Sequence, residues 1–400
     1  MNMARAYFFS MLFCVGLPAH SMQGVNEIAA AKAGVFHHLD ASGRNHLAVS
    51  SASVALVWED NRSGAPGCFL ALKGGGENGF REFPFGQGEC FEPAIAAFDA
   101  DRFLLIWEDV GGVHTAIADS AGPGQPTRLA ASGGHGTLIQ HPEFGAHAAW
   151  SAPDGRWRRV FHARLHSEGG RVRAGVAYPV DMKAASDDQI FPVLAASASG
   201  LMLAWEDRRH GHTVIYGSSS SDPAAIIWSS PARISGNPTG KQAGDLGRGT
   251  GAMRPALATF GKRVAAAWLD KRDFLSGYDV YAALSGKDSL RFEKDQKAQD
   301  SFGDAIAQWH VAAAGNARGD LVLAWDDDRD GSADIWLTRL TAADASQSYS
   351  ENFTLPEASG PGQQSDPVIA LDAAGNLHLA WIERGNDGAT RVLYTHWPLP

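Results

Sequence analysis

The chain has 400 residues, 44% apolar and 20% charged, a globular composition that excludes a disordered chain and leaves either several domains or one closed, repetitive domain. Its 45 glycines and 12 tryptophans favour short strands and turns over helices. A formal net charge of −10 excludes a general nucleic-acid binder, which carries basic charge.

In chain order, Arg5 followed by the apolar run Ala6–Leu17 and the small residues Ala19 and Ser21 has the form of an export signal, too short to span a bilayer. Cleavage after Ser21 is expected, with residues 22–400 forming one domain in the periplasm or outside the cell. Cys14 lies inside the apolar run without the preceding small residue of a lipoprotein signal. Next comes a spare segment before the first repeat. Its Val35–Leu39 portion is expected to supply the outer strand of the last blade, closing a ring and removing exposed sheet edges. Cys68 and Cys90 remain after signal removal, and an oxidising compartment predicts a disulfide between them.

From residue 54 onward one pattern recurs. It reads VALVWEDNRSGAPGCFLALK around Trp58, FLLIWEDVGGVHTAIAD around Trp107, AHAAWSAPDGRWRRVFHARL around Trp150 and LMLAWEDRRHGHTVIYGSSS around Trp205. Three further copies surround Trp268, Trp325 and Trp381. These seven tryptophans recur every 43 to 63 residues, the period of a four-stranded propeller blade. A Pro-x-apolar-Ala element precedes most of them, at Pro93, Pro142, Pro192, Pro255 and Pro367, with Trp309-His-Val-Ala in the sixth copy. Proline opens a strand without removing an interior ladder bond. The alternation of apolar and polar residues between Gly/Asp/Asn clusters predicts an all-β, seven-bladed β-propeller of four-stranded antiparallel blades, closed by an N-terminal strand.

The segment Tyr281–Trp336, with a Tyr-containing strand, Ala-Trp-x-Asp-x-Arg and Asp-Ile-Trp in succession, resembles the bacterial sialidase-like, or BNR-type, propeller repeat. The resemblance extends weakly over most of the chain. It implies a propeller and, in its catalytic members, glycoside cleavage at the axis. The Asp-box turn departs from that pattern: Ser285–Phe292 keeps the length and moves the Asp, and Ser220–Trp228 keeps the Asp and loses the Gly.

The Trp-x-Asp-x-Arg copies place Asp60, Arg62, Asp207, Arg209, Asp270, Arg272, Asp327 and Arg329 in the turn after the second strand of their blades. One reading is a ring of arginine clamps for an anionic or sugar ligand. The other is a turn in which Asp accepts backbone N–H bonds and Arg pairs with a neighbouring acid. In the sixth copy Asp326, Asp328, Asp330 and Asp334 surround Gly331 with the alternate-oxygen spacing of a calcium loop, against a solvated acidic turn. Calcium is the one cofactor the sequence suggests. The Gly-rich stretch 236–251 is long enough to bind a ligand and carries Asp245. Histidines gather in the third copy (His135, His141, His147, His162, His166), as metal ligands or as scattered surface residues. Arg254, Asp245, Tyr349 and Asp188, with Tyr178, Asp187 and Asp304, are unrepeated residues near blade-to-blade loops and stand as catalytic candidates. Two functions follow: a non-catalytic, monomeric, exported propeller that binds a glycan or an extracytoplasmic protein on one face, or a sialidase-like hydrolase or polysaccharide lyase acting at the axis.

Overall fold

The computed structural model describes residues 24–39, 44–236, 251–272, 277–287, 289–300, 306–340 and 348–399. The proposed signal, Asp245 and Asp304 lie outside them. The described residues form seven antiparallel sheets, each with four strand positions, arranged as the blades of a propeller. Three sheets count five strands because one position is split into two short pieces.

Blade 2 shows the plan. Cys90–Ala97 is innermost, Phe103–Asp109 and Gly112–Asp119 follow, and Gly122–Pro123 with Thr127–Ala130 share the rim. The second strands are the most buried: in blades 4 and 5, Gly200–Asp207 and Arg263–Asp270 have no exposed position. Their side chains pack against the next blade on one face and the previous blade on the other. Buried apolar residues accordingly divide into wedges between neighbours, such as Val57, Leu70, Ile95 and Phe103 between blades 1 and 2. All seven repeat tryptophans sit in these wedges at 3% exposure or less.

Two details of the sequence pattern are corrected. Val35–Leu39 does not extend the last sheet: His37–His38 pairs with Ser53–Asp60 at the inner edge of blade 1. The strand along Thr390–Pro398, at the fourth position of blade 7, is Asn26–Ala29. In blade 3 the inner strand is Gly134–His141, so Pro142 follows that strand instead of opening it. Buried Phe144 lies in the turn after it, and Gly136, after the bulge residue His135, takes the place that the repeat gives elsewhere to the Pro.

The disulfide joins Cys68 to Cys90 with Cα atoms 5.4 Å apart. It links the third strand of blade 1 to the first strand of blade 2. No helix among the described residues is long and apolar enough to cross a membrane.

Candidate active site at the axial mouth

The repeated Trp-Asp-Arg residues form one module per blade. Trp205 Nε1 donates to Asp207 Oδ2 at 3.0 Å, and the Arg209 backbone N–H and Nε both donate to Asp207 Oδ1, at 3.0 and 2.7 Å. Arg209 also reaches Asp181 and lies 4.6 Å over the Tyr216 ring. The indole and backbone bonds and the stacking recur with Asp60 and Arg62 on Phe69, Asp270 and Arg272 on Tyr281, and Asp327 and Arg329 on Trp336, with Arg272 reaching its Asp through Nη2 instead of Nε. The four Asp side chains are 4% exposed or less. Their oxygens are consumed inside the blade, and each Arg has a second acid: Glu82, Asp181, Asp295 or Asp300.

A different ring faces the axis. Each inner strand of blades 2 to 7 carries a bulge near its start. At the bulge sits one non-glycine residue with φ between 50° and 56°: Glu92, His135, Phe191, Arg254, His310 and Asp366. Arg44 occupies the matching position of blade 1, three residues before Leu47, which pairs with Leu56. Left-handed backbone at a non-glycine residue is strained and concentrates at functional sites, and a bulge re-aims a side chain. The backbone device repeats; the chemistry on it does not. Two cations, two acids, two imidazoles and a phenyl ring converge on one mouth.

In blades 1, 4 and 6 the residue after the repeat tryptophan underlies this ring. Glu59 accepts the Glu92 N–H, Glu206 Oε1 accepts the Arg254 N–H at 2.7 Å, and Asp326 Oδ1 accepts the Asp366 N–H at 3.1 Å. In blade 2 the exchange differs. Glu92 Oε2 accepts the His135 N–H at 2.8 Å and the Arg44 Nη1 bond at 2.8 Å, which leaves the equivalent Glu108 without that role. The Glu108 carboxyl accepts no hydrogen bond from the described residues. Gly134 makes its position possible, since a Cβ there would overlap the Glu108 carboxyl.

The charges at the mouth are correspondingly split. Burial, and then the negative charge of Glu92, raise Glu108 to about 7. Burial also acts on Glu92, but Arg44 and His135 outweigh it and hold that carboxyl at about 2. Burial lowers His135 to about 4. For His310 burial is outweighed by the Asp326 hydrogen bond at 2.7 Å and by Asp326 and Asp366 charge, which raise it to about 9. Arg254 lies 3.5 Å over the Phe191 ring, with the His135 ring 4.1 Å from the same phenyl group. Two buried nitrogens in this stack, Arg254 Nη1 and His135 Nδ1, have no hydrogen-bond partner among the described residues. Below the mouth the axis is a cavity of about 310 Å³ lined by apolar inner-strand residues such as Leu47, Ile95, Leu138, Leu194 and Leu257. Asn45, Gln140 and Thr259 add polar groups to that lining. A larger depression of about 750 Å³ lies at the rim between blades 4 and 5, walled by serines 218, 219 and 229 and by Phe292. Glu293 and Asp295 also line it, and Asp295 is paired with Arg272.

Of the catalytic candidates read from sequence, Arg254 stands in the ring. Asp188 Oδ1 accepts the Arg158 N–H at 2.8 Å beside it. Tyr349, partly buried, packs against the wedge between blades 5 and 6, near Arg263. Tyr178 lies in the rim strand of blade 3. The calcium-loop acids diverge: Asp326 turns to His310, while Asp334 Oδ1 accepts the Gly360 N–H. Among the described residues no three His, Cys, Asp or Glu side chains are grouped to hold a metal ion. His147 and His162 are buried and bonded to each other at 2.9 Å, not scattered on the surface. Glu92, Glu108 and His310 escaped sequence reasoning. The available signal was the residue before the Pro motif, which changes from Glu to Phe, Arg and Asp while its surroundings repeat.

No protein-family model matches the sequence, and no curated protein matches it. Solved structures share the fold. The polysaccharide lyase Uly1 matches with a TM-score of 0.60 at 9% identity, over 89% of this chain and 90% of that one. A protein of unknown function from Dyadobacter fermentans matches at 0.54 and 9%, over 94% and 100%. The α-L-arabinofuranosidase Arb93A of Fusarium graminearum matches at 0.49 and 10%, over 94% and 98%. At such identities the first two likenesses show a shared fold alone, and the chemistry of the chain rests on its own residues.

Proposed function

We propose that this protein is an exported carbohydrate-active enzyme that cleaves a glycosidic bond at the axial mouth by acid–base catalysis, with Glu108 as the acid. The observation that carries this reading is the unbonded Glu108 carboxyl, raised to about 7, beside Glu92, held at about 2. Two carboxyls whose surroundings separate their ionisation can divide the work of glycoside cleavage. Between those values Glu108 is protonated and donates to the departing glycosidic oxygen. Glu92, ionised, offers its free oxygen to the positive charge that develops on the sugar ring, and water then adds to the anomeric carbon and returns a proton to the Glu108 carboxylate. The part-exposed Arg254 guanidinium, held flat on the Phe191 ring, positions the sugar. A polysaccharide lyase of similar architecture is compatible with this reading, as is the BNR-type resemblance of the repeat. The disulfide suits an exported protein.

The test is a screen of the purified protein on fluorogenic glycosides and on arabinan, ulvan and polygalacturonate, scored as new reducing ends and as unsaturated products. Glu108→Gln is expected to lower kcat/KM on the responding substrate by at least about a hundredfold. The wild-type rate is expected to fall as pH rises through about 7, because the acid form is lost there. Full turnover by Glu108→Gln would overturn the assignment. Glycan retention with no turnover of any substrate would return the protein to a non-catalytic binder.

A further inference from the structure

Of the twelve tryptophans, only Trp309 is exposed, at 41%. The repeat does not explain it. Its counterparts immediately before the bulge residue are Phe91, Gly134, Ile190, Met253 and Ser365, so the position carries no shared packing role. Nor does core formation explain it, because the buried wedges are filled by the tryptophans that follow the second-strand alternation.

Trp309 adjoins His310 in the ring and meets the Tyr278 side chain with ring centroids 5.2 Å apart and planes at 55°. The two are fixed from behind: the Gln308 N–H donates to the Tyr278 carbonyl at 2.9 Å. Lys271 Nζ lies 5.4 Å from the Tyr278 ring centre. The negative charge of Glu206, at the base of the mouth, acts on the Tyr278 hydroxyl. Two tilted aromatic rings with an ammonium beside them thus continue outward from the charged mouth across the sector of blades 5 and 6.

We infer that Trp309 and Tyr278 form a stacking subsite for a sugar ring of the same glycan whose bond lies at the mouth, so that the substrate is an oligo- or polysaccharide that leaves the axis over blades 5 and 6. This rests on the reading of the mouth as a glycan-cleaving site. The apolar C–H face of a sugar ring matches an exposed indole, and its hydroxyls at the edge match the Tyr278 hydroxyl and Lys271. Continuity with the mouth selects a glycan as the occupant: a subsite one residue from His310 is reached by the next units of the chain already bound.

The experiment uses gel retardation by arabinan, ulvan and polygalacturonate embedded separately in native gels. Glu108→Gln, which holds glycan without turning it over, is compared with Glu108→Gln/Trp309→Ala and Glu108→Gln/Trp309→Phe, all three checked by thermal melting for an intact fold. Expected is retardation of Glu108→Gln by one polymer, a loss of about tenfold in apparent affinity with Trp309→Ala, and recovery of most of it with Trp309→Phe. Equal retardation of all three variants would overturn the subsite and leave the mouth assignment standing. So would degradation of a polymer by wild type with no retardation of Glu108→Gln. If wild type neither degrades nor is retarded by any polymer, the subsite and the mouth reading fall together.

Discussion

At the scale of single residues the repeat assigns its Asp and Arg side chains to holding the blade. Asp207 is 1% exposed and accepts from the Trp205 indole, the Arg209 backbone and the Arg209 guanidinium. Asp207→Ala would orphan a buried indole N–H and leave Arg209 with Asp181 alone. Removing one partner of a buried charged pair costs about 3 kcal/mol or more, and urea unfolding of the variant is expected to show a loss of that order with secondary structure intact. Blade 7 shows the same logic inverted. Glu383 stands where the repeat has Asp and turns outward to Arg391, and Trp381 Nε1 is left buried without a partner. These residues were easy to read because the module they build recurs. Glu108 was hard to read for the opposite reason. In sequence it is one more Trp-Glu-Asp copy, identical to Glu59 and Glu206; only Gly134, and the diversion of Glu92 to the His135 N–H, release it.

At the scale of elements the inner strand does two jobs at its two ends. Its later residues are small or apolar and close the axis. Its first residues break register, and the bulge turns one side chain toward the mouth. The strand was legible from Pro-x-apolar-Ala. The bulge was not, because nothing in the local pattern marks left-handed backbone at Glu92, Phe191, Arg254 or Asp366, all of which precede proline. In blade 3 the motif pointed to Pro142, and His135 was displaced from the alignment. The disulfide acts on one such strand. It ties Cys90, two residues before Glu92, to the third strand of blade 1. Replacing both cysteines by serine is expected to cost about 3 kcal/mol of stability, since the bond closes a loop whose ends are 22 residues apart. Because the bulge at Glu92 begins beside Cys90, turnover should fall in the double variant under conditions where it remains folded, measured as kcat/KM below its melting transition.

For the whole molecule the question is what keeps seven wedges from opening. Each wedge belongs to two blades, so a blade with one neighbour missing exposes half of its apolar contacts; closure is therefore collective. The seam between blades 7 and 1 is built from residues far apart in the chain. Asn26 and Glu27 are in register with Tyr394 and Leu393, Glu27 pairs with Arg391, and Ala29, Leu39, Leu47 and Trp58 pack with Val368, Ala380 and Tyr394. His37 N–H donates to Thr390 Oγ1 at 2.9 Å. Removing Asn26–Ala29 would strip the ladder from the rim side of Thr390–Pro398 and bare an edge that can pair with another chain. The inner contacts of His37 and Leu39 would remain, so the ring is expected to close without its outer strand and to melt at lower temperature, by several degrees for a loss of about 2 kcal/mol in a chain of this length. Oligomers that grow with concentration should appear in light scattering. The mouth lies at the inner end of the blades, and the lost strand lies at the rim. Turnover per folded molecule should therefore survive the deletion. If turnover collapses while the melting temperature holds, the seam and the mouth are coupled, and the division between a closing rim and a reactive axis is wrong.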